Sequence, residues 1–311
     1  MADKFTAKFW GVRGSIPTPG IEFTKYGGNT ACIELRIGEK DRLIIIDAGS
    51  GIRLLAGYMM KNDFPKGPMS ADIFLSHTHW DHILGFPFFV PNFIKGTKLR
   101  IYGPQTYEEE TLEKIIGNQL SYRYFPIRQE ELSAQIEYLQ LKECEMDLGD
   151  GIKLKTKYLN HPVSSLGYRF EYQGKVFCTA YDNEPFYNLF PTDPTDPDYD
   201  EDVAREGENT AFEENKKIRE FYRDADVLVH DAQYTNQEYK KNRKGWGHSS
   251  FEYAINSAHN AKVKKLFLFH HDIARTDKEL DELEIKYRNK IQGKTSMEIS
   301  LAKEGMEIVL I

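Results

Sequence analysis

Cysteine is scarce in this chain. Its 311 residues hold three, Cys32, Cys144 and Cys178, far apart and with no CxxC pair. That excludes a disulfide frame and a thiolate zinc site, and fits reduced core residues in a cytoplasm. Long apolar runs are missing too. Nothing approaches the ~18 residues of a membrane helix, and the opening MADKFTAKFW lacks the apolar stretch of a secretory signal. The expectation is a cytoplasmic protein with no membrane partner. There is no excess of basic charge either: 41 Lys+Arg stand against 48 Asp+Glu, for a net charge of −7. This argues against a long nucleic acid as partner, which demands a basic face. A small anion met at a local site is not excluded. No repeat of fixed period points to a solenoid. "YGGNT" at 26–30 is no dinucleotide fingerprint, because it lacks GxGxxG and feeds a strand.

What is present is a succession of short apolar runs closed by polar loops. FTAKFWGV, ACIELRI, RLIIIDAG and ADIFLSH fill the first quarter; LRIYG, IKLKTKYL, LGYRFEY, KVFCTAYD, ADVLVHDA and KKLFLFHH follow. LGYRFEYQGKVFCTAYD reads as a hairpin turning at Gln173-Gly174. Helical patterns lie between: SGIRLLAGYMMK behind a Ser50 cap, TYEEETLEKIIGNQL from Thr106, and DKELDELEIKYRNKI running from acid to base. Neighbouring strands outnumber strict strand–helix alternation. The pattern therefore favours an α/β sandwich of two mixed sheets with outer helices, as a single domain over 1–311. PTDPTDPDYDEDVAREGE, residues 191–208, has three prolines and dense acids. It reads as a surface loop or flap that forms neither helix nor inner strand.

The strongest local signal is LSHTHWDHILG at 75–85. Only nine histidines occur in the chain, and three fall between 77 and 82. His77 and His79 follow a strand and, two apart in extended chain, point the same way. Asp81 and His82 then come from the start of a helix, in another direction. Neutral imidazoles and carboxylates converging from a rigid scaffold are what a divalent metal requires. One short stretch thereby supplies ligands for two adjacent ions.

SHTHWDH resembles the signature of the metallo-β-lactamase fold, an αββα sandwich with metals at one edge. The resemblance implies further ligands, each found at a strand end: His161 in KYLNHPVSS, Asp182 in VFCTAYDNE, and His270 in KLFLFHHD, with His271 as its alternate. One metal would be held by His77, His79 and His161, and the other by Asp81, His82 and His270. Asp182 would bridge them. Asp47, in LIIIDAGSG, would orient the ligand loop without binding metal. Zinc suits such sites and manganese is accepted by carboxylate-containing ones. His230, in LVHDAQY, stays outside the set as a structural histidine.

GWGHSSFEYA resembles the phosphodiesterase branch, in which a His-Ser-Thr or His-Ser-Ser tripeptide opens a helix. His248 would then contact the phosphate or protonate the departing oxygen, a catalytic role beside Asp81, with Ser249 near the substrate. The 21 positions from His161 to Asp182 leave no room for the projecting arm of tRNA-processing relatives. FWGVRGSIPTPG and KYGGNTACIEL resemble the opening of small cyclic-nucleotide phosphodiesterases, including phage anti-Pycsar proteins and their bacterial homologues. That resemblance implies a homodimer hydrolysing 3′,5′-cyclic nucleotides, cyclic pyrimidine signals (cCMP, cUMP) among them. Asn29 would be available to bind substrate, and aromatics near Tyr122 and Tyr124 could stack a base. Another hydrolase of this fold acting on RNA ends is the second reading. A non-catalytic cyclic-nucleotide binder is the third.

Overall fold

The computed structural model describes residues 3–106 and 110–311. Two seven-stranded sheets stack face to face. The first contains β1 (Phe5–Gly11), β2 (Cys32–Ile37), β3 (Arg42–Ile46), β4 (Ser70–Phe74), β5 (Lys98–Pro104), β6 (Gln135–Leu141) and, at its edge beside β1, β14 (Glu307–Val309). The second contains β7 (Glu145–Gly149), β8 (Ile152–Leu159), β9 (Ser165–Tyr172), β10 (Lys175–Ala180), β11 (Val227–Asp231), β12 (Lys265–Phe269) and β13 (Glu298–Leu301), in sequential order. Each sheet is antiparallel on one side and parallel on the other. The parallel pairs are β3–β4–β5–β6 in one and β10–β11–β12–β13 in the other.

Alternation on the strands builds the middle layer. Phe5, Ala7 and Phe9 of β1 face inward with Leu154 of β8 and Phe170 of β9, in one buried cluster that spans both sheets. The opposite faces are apolar as well and need covering. Helices α1 (Ile52–Asn62) and α3 (Leu112–Asn118) bury Leu55, Met59 and Ile116 on the first sheet. Helices α4 (Glu201–Phe221), α6 (Phe251–Asn260) and α7 (Asp277–Ile291) bury Phe221, Ala254 and Leu280 on the second. The layers run α, β, β, α. Between these lie the short α2 (Trp80–Ile83) and α5 (Asn236–Asn242). No described helix is long and apolar enough to cross a membrane.

Several local expectations hold. Gln173 and Gly174 take φ of 47° and 75°, the paired positive values of a two-residue hairpin turn with right-handed strand twist. Helix α7 spans the expected DKELDELEIKYRNKI, and its Thr276 and Glu279 form a reciprocal cap.

Others are corrected. Residues 191–208 are not all loop. The prolines end at Pro197, and Asp200 caps a 21-residue helix by accepting from the backbone N–H groups of Asp202 and Val203. Acids in a first turn complement the helix dipole, so the same charges that suggested a flap begin α4. Ser50 does not cap α1, whose preceding residue is Gly51. Its hydroxyl instead accepts from Thr30 N–H and donates to Asn29. The helix expected from Thr106 begins at Leu112, capped by Thr111; residues 107–109 lie outside the described set. After α2 the prolines at 87 and 91 divide the expected helix into two 3₁₀ turns. Strands β6, β7, β13 and β14 had no clear sequence signal, being short or half-polar.

Candidate metal centre

The parallel halves of both sheets direct their carboxyl ends to one edge, where open α/β sheets bind ligands. Asp47 follows β3, His77 and His79 follow β4, His161 follows β8, Asp182 follows β10, Asp231 ends β11 and His270 follows β12. Three of these, Asp47, Asp182 and His270, have positive φ of 60°, 40° and 63°. A left-handed residue other than glycine costs roughly 1–2 kcal/mol. The turn is what swings each side chain off its strand and toward the same point.

Three sets of donor atoms result among the described residues; two of them meet at Asp182, and a third joins Asp231, His248 and His270. In the first, the His pocket, His161 Nε2 lies 3.1 Å from His79 Nδ1. Asp182 Oδ2 is 3.5 Å from His77 Nε2 and 3.8 Å from His161 Nε2. In the second, the acid pocket, His82 Nε2 is 3.2 Å from Asp81 Oδ2 and 3.4 Å from His270 Nε2. Asp182 Oδ1 is 3.4 Å from His82 Nε2 and 3.3 Å from His270 Nε2. The two oxygens of Asp182 thus face different pockets. Donors about 2.0–2.1 Å from a tetrahedral ion stand about 3.3 Å apart, so both sets fit a divalent metal. Buried His77 Nε2 and Asp182 Oδ1 have no hydrogen-bond partner, as atoms reserved for a cation would.

The surroundings set the tautomers. Asp47, fully buried, accepts from the backbone N–H and hydroxyl of Ser76. It also takes His82 Nδ1–H at 2.7 Å, leaving His82 Nε2 to the pocket. His161 Nδ1 donates to the Gly247 carbonyl at 3.0 Å, with the same effect. Burial pushes the His77 imidazole well below its ordinary range and His161 down to about 4, the neutral state a ligand needs. His82 goes the other way: burial would lower it, but the carboxylates of Asp81, Asp182 and Asp47 hold it up. Asp81 is kept ionised although burial opposes this, because His82 and His270 outweigh it.

His248 belongs to neither pocket, yet its ring stacks 4.9 Å from that of His270 and lies 5.6 Å from that of His161. Its Nδ1 donates to Asp231 Oδ2 at 3.0 Å, which leaves Nε2 as the ring's other polar atom. Burial would lower its pKa, but Asp231 carries it to about 9. Asp231 is not singled out by the sequence beside His230, although it ends strand β11 as the other site residues end or follow theirs. His230 itself is buried against Tyr222 and Tyr253, away from the metals' donors. His271 turns its Nε2 to the Ala302 carbonyl and is in none of the donor sets.

Two expected substrate contacts are committed elsewhere. Ser249 is fully buried; its hydroxyl donates to the Asn183 carbonyl and its N–H to Asp231. The Asn29 amide donates to Glu304 and accepts from Ser50. Both brace the site's loops, and the reason is that a buried polar group must find its partners within the protein. Tyr122 and Tyr124 are exposed, with Tyr122 bonded to Glu131. Two glycines that sequence reasoning passed over admit the ligand rings. A Cβ on Gly14 would lie 2.3 Å from the His270 ring, and one on Gly247 2.4 Å from that of His161.

The αββα architecture with a metal-type centre at one sheet edge is the metallo-β-lactamase fold. It is shared with the metallo-β-lactamase fold protein YhfI of Bacillus subtilis (TM-score 0.62, 16% identity, 99% of this chain and 100% of that one). A diphosphatase of the PhnP family has it too (TM-score 0.62, 17% identity, 98% and 97%), as does the short form of human tRNase Z (TM-score 0.59, 18% identity, 97% and 98%). In sequence the chain is similar to ribonuclease Z of Thermoplasma volcanium, 28% identical over 89% of this chain and 90% of that protein. Ribonuclease Z of Thermoplasma acidophilum is 27% identical over 96% and 97%. No protein-family model matches the chain.

Proposed function

We propose that the chain is a metal-dependent phosphodiesterase that hydrolyses 3′,5′-cyclic nucleotides to nucleoside monophosphates, as a cytoplasmic homodimer. The observation carrying this is one carboxylate, Asp182, shared between two complete donor sets, with the His248 ring 4.9 Å from that of His270 and 5.6 Å from that of His161. His77, His79 and His161 would hold one divalent ion and Asp81, His82 and His270 the other. Such a pair supplies activation of the attacking water and neutralisation of phosphate charge.

The chain's own residues account for the rest. Asp182 orients both pockets toward one phosphate. Asp81, gripped by Ser15 N–H at 2.7 Å as well as by the two histidines, closes the acid pocket on the side of the N-terminal loop. His248 holds a proton that a ribose alkoxide, a poor leaving group at neutral pH, needs on departure. Asp231 fixes the ring and stabilises its cationic form. The cyclic character of the substrate is supported by the tight hairpin β9–β10 between His161 and Asp182, which carries no arm for a folded RNA, and by the acidic balance of the chain.

Ribonuclease Z relatives at 27–28% identity favour a second reading, cleavage at RNA 3′ ends. A panel of 3′,5′-cyclic nucleotides, a 2′,3′-cyclic nucleotide and a precursor tRNA separates the two. Turnover of several 3′,5′-cyclic nucleotides and none of the tRNA is expected; efficient tRNA cleavage alone would overturn the proposal. Light scattering should give about twice the 36.1 kDa chain mass, and the chain mass alone would remove the dimer.

A further inference from the structure

Glu184 lies two residues beyond Asp182, is 4% exposed, and belongs to none of the donor sets. Its carboxylate nevertheless spends both oxygens on α5 and the loop that follows it. Oε1 accepts from the Tyr239 hydroxyl at 2.6 Å and from Gly245 N–H at 2.7 Å. Oε2 accepts from Gly247 N–H at 2.9 Å. Gly247 is the residue whose carbonyl takes the Nδ1 proton of His161. Its φ of 82° brings the backbone so close to that ring that no Cβ fits between them. The backbone of Glu184 grips the other side, since its N–H donates to the carbonyl of Asn160, the residue before His161, at 2.8 Å.

We propose that Glu184 is a positioning residue for the His pocket. It holds the 245–247 loop and the 160–161 turn at one fixed separation, so that His161 keeps its Nδ1–H tautomer and its Nε2 stays at the pocket. The loop hangs from two buried carboxylates, Glu184 at Gly247 and Asp231 at Ser249. Asp231 serves His248, and Glu184 serves His161. The N–H groups at 245 and 247 would lose their partner if the carboxylate went; Gly245 is exposed and can turn to water, but Gly247 is buried, and an unpaired buried donor costs enough to make the loop move. The acid pocket has no equivalent tie to Glu184: its histidines are fixed by Asp47 and by Asp81.

The inference rests on the two-pocket metal reading but on no particular substrate. It is tested by titrating the metal-free protein with zinc in competition with a chromophoric chelator. Glu184→Gln keeps the shape but replaces one acceptor with a donor that faces another donor. One zinc equivalent should weaken about ten- to a hundredfold, the usual effect of removing a ligand's outer partner, while the other is unchanged. His79→Ala removes a ligand of the same pocket, so adding Glu184→Gln to it should cost little more. Equal weakening of both equivalents, or of neither, would overturn the proposal, because a merely structural residue does not select one pocket. Should Glu184→Gln fail to fold, Tyr239→Phe removes one of the three bonds. It should weaken the same equivalent by a smaller factor, and unchanged affinity there also refutes the idea. If no phosphodiester is hydrolysed but the zinc affinities split as stated, the substrate reading fails and this one stands.

Discussion

Adding one methyl group at Gly14 should disable the acid pocket. Gly14 does not sit in the left-handed region, so an alanine there has no backbone conflict and reports contact alone. Its Cβ would stand 2.3, 2.4 and 2.9 Å from Cε1, Nδ1 and Nε2 of His270. Carbon contacts settle at about 3.5–4.0 Å, so ring and loop must part by roughly 1 Å. The ring cannot yield cheaply, because His270 Nε2 is already 3.0 Å from Asp81 and 3.3 Å from Asp182. Nor can the loop: Arg13 N–H is bound to Asn29, Gly14 N–H to His271 and Ser15 N–H to Asp81. Overpacking of this kind costs about 1–3 kcal/mol. Whichever side moves, His270 or Asp81 leaves its place, and a metal held there should weaken about ten- to a hundredfold. Zinc or manganese titration against a chelator reads this directly, with urea unfolding of the metal-free protein to separate fold from site. Gly14→Ala that binds two equivalents with wild-type affinity and turns over normally would refute the reasoning.

Other expectations can be checked with the same preparations. His248→Ala should keep its metals and lose on the order of 10²-fold or more in turnover of a cyclic nucleotide. Bis-p-nitrophenyl phosphate, whose leaving group needs no proton, should suffer much less; equal losses would remove the acid role. Asp182→Ala should lower metal content, measured by elemental analysis, more than His79→Ala does, because it faces both pockets. Full retention of two ions would refute the bridge. Arg13→Ala should destabilise the fold by about 3 kcal/mol or more in urea unfolding, since its fully buried guanidinium donates to the carbonyls of Gly27, Asp272 and Arg275. A change below about 0.5 kcal/mol would refute that.

Much of the site was legible because its signals are local. His77, His79, Asp81 and His82 lie within six residues, where strand geometry and a helix start already give directions. His161, Asp182 and His270 each follow an apolar run that reads as a strand, and a resemblance to a known fold supplied their grouping. The helix capped by Asp200 is masked in the sequence because prolines at 191, 194 and 197 dominate the window, while the acids Glu201 and Asp202 that open its first turn also suit a loop. The bonding of Asn29 and Ser249 within the protein is hidden from the sequence for another reason. A polar side chain in a glycine-rich loop looks free until its buried partners, Glu304 and Asp231, are brought up from 275 and 18 residues away.

The sequence by itself determined the donor run from His77 to His82, and that two sheets of alternating strands would be covered by helices, because periodicity and donor chemistry are properties of short segments; the more distant donors followed from a resemblance. Only the tertiary structure decided that Asp182 turns one oxygen to each pocket, that Asp231 rather than His230 serves the centre, and that Glu184 and Gly14 bound the ligand rings. Those relations depend on where strand ends from two sheets meet, and on close contacts between segments distant in the chain. Close packing, not local pattern, sets them.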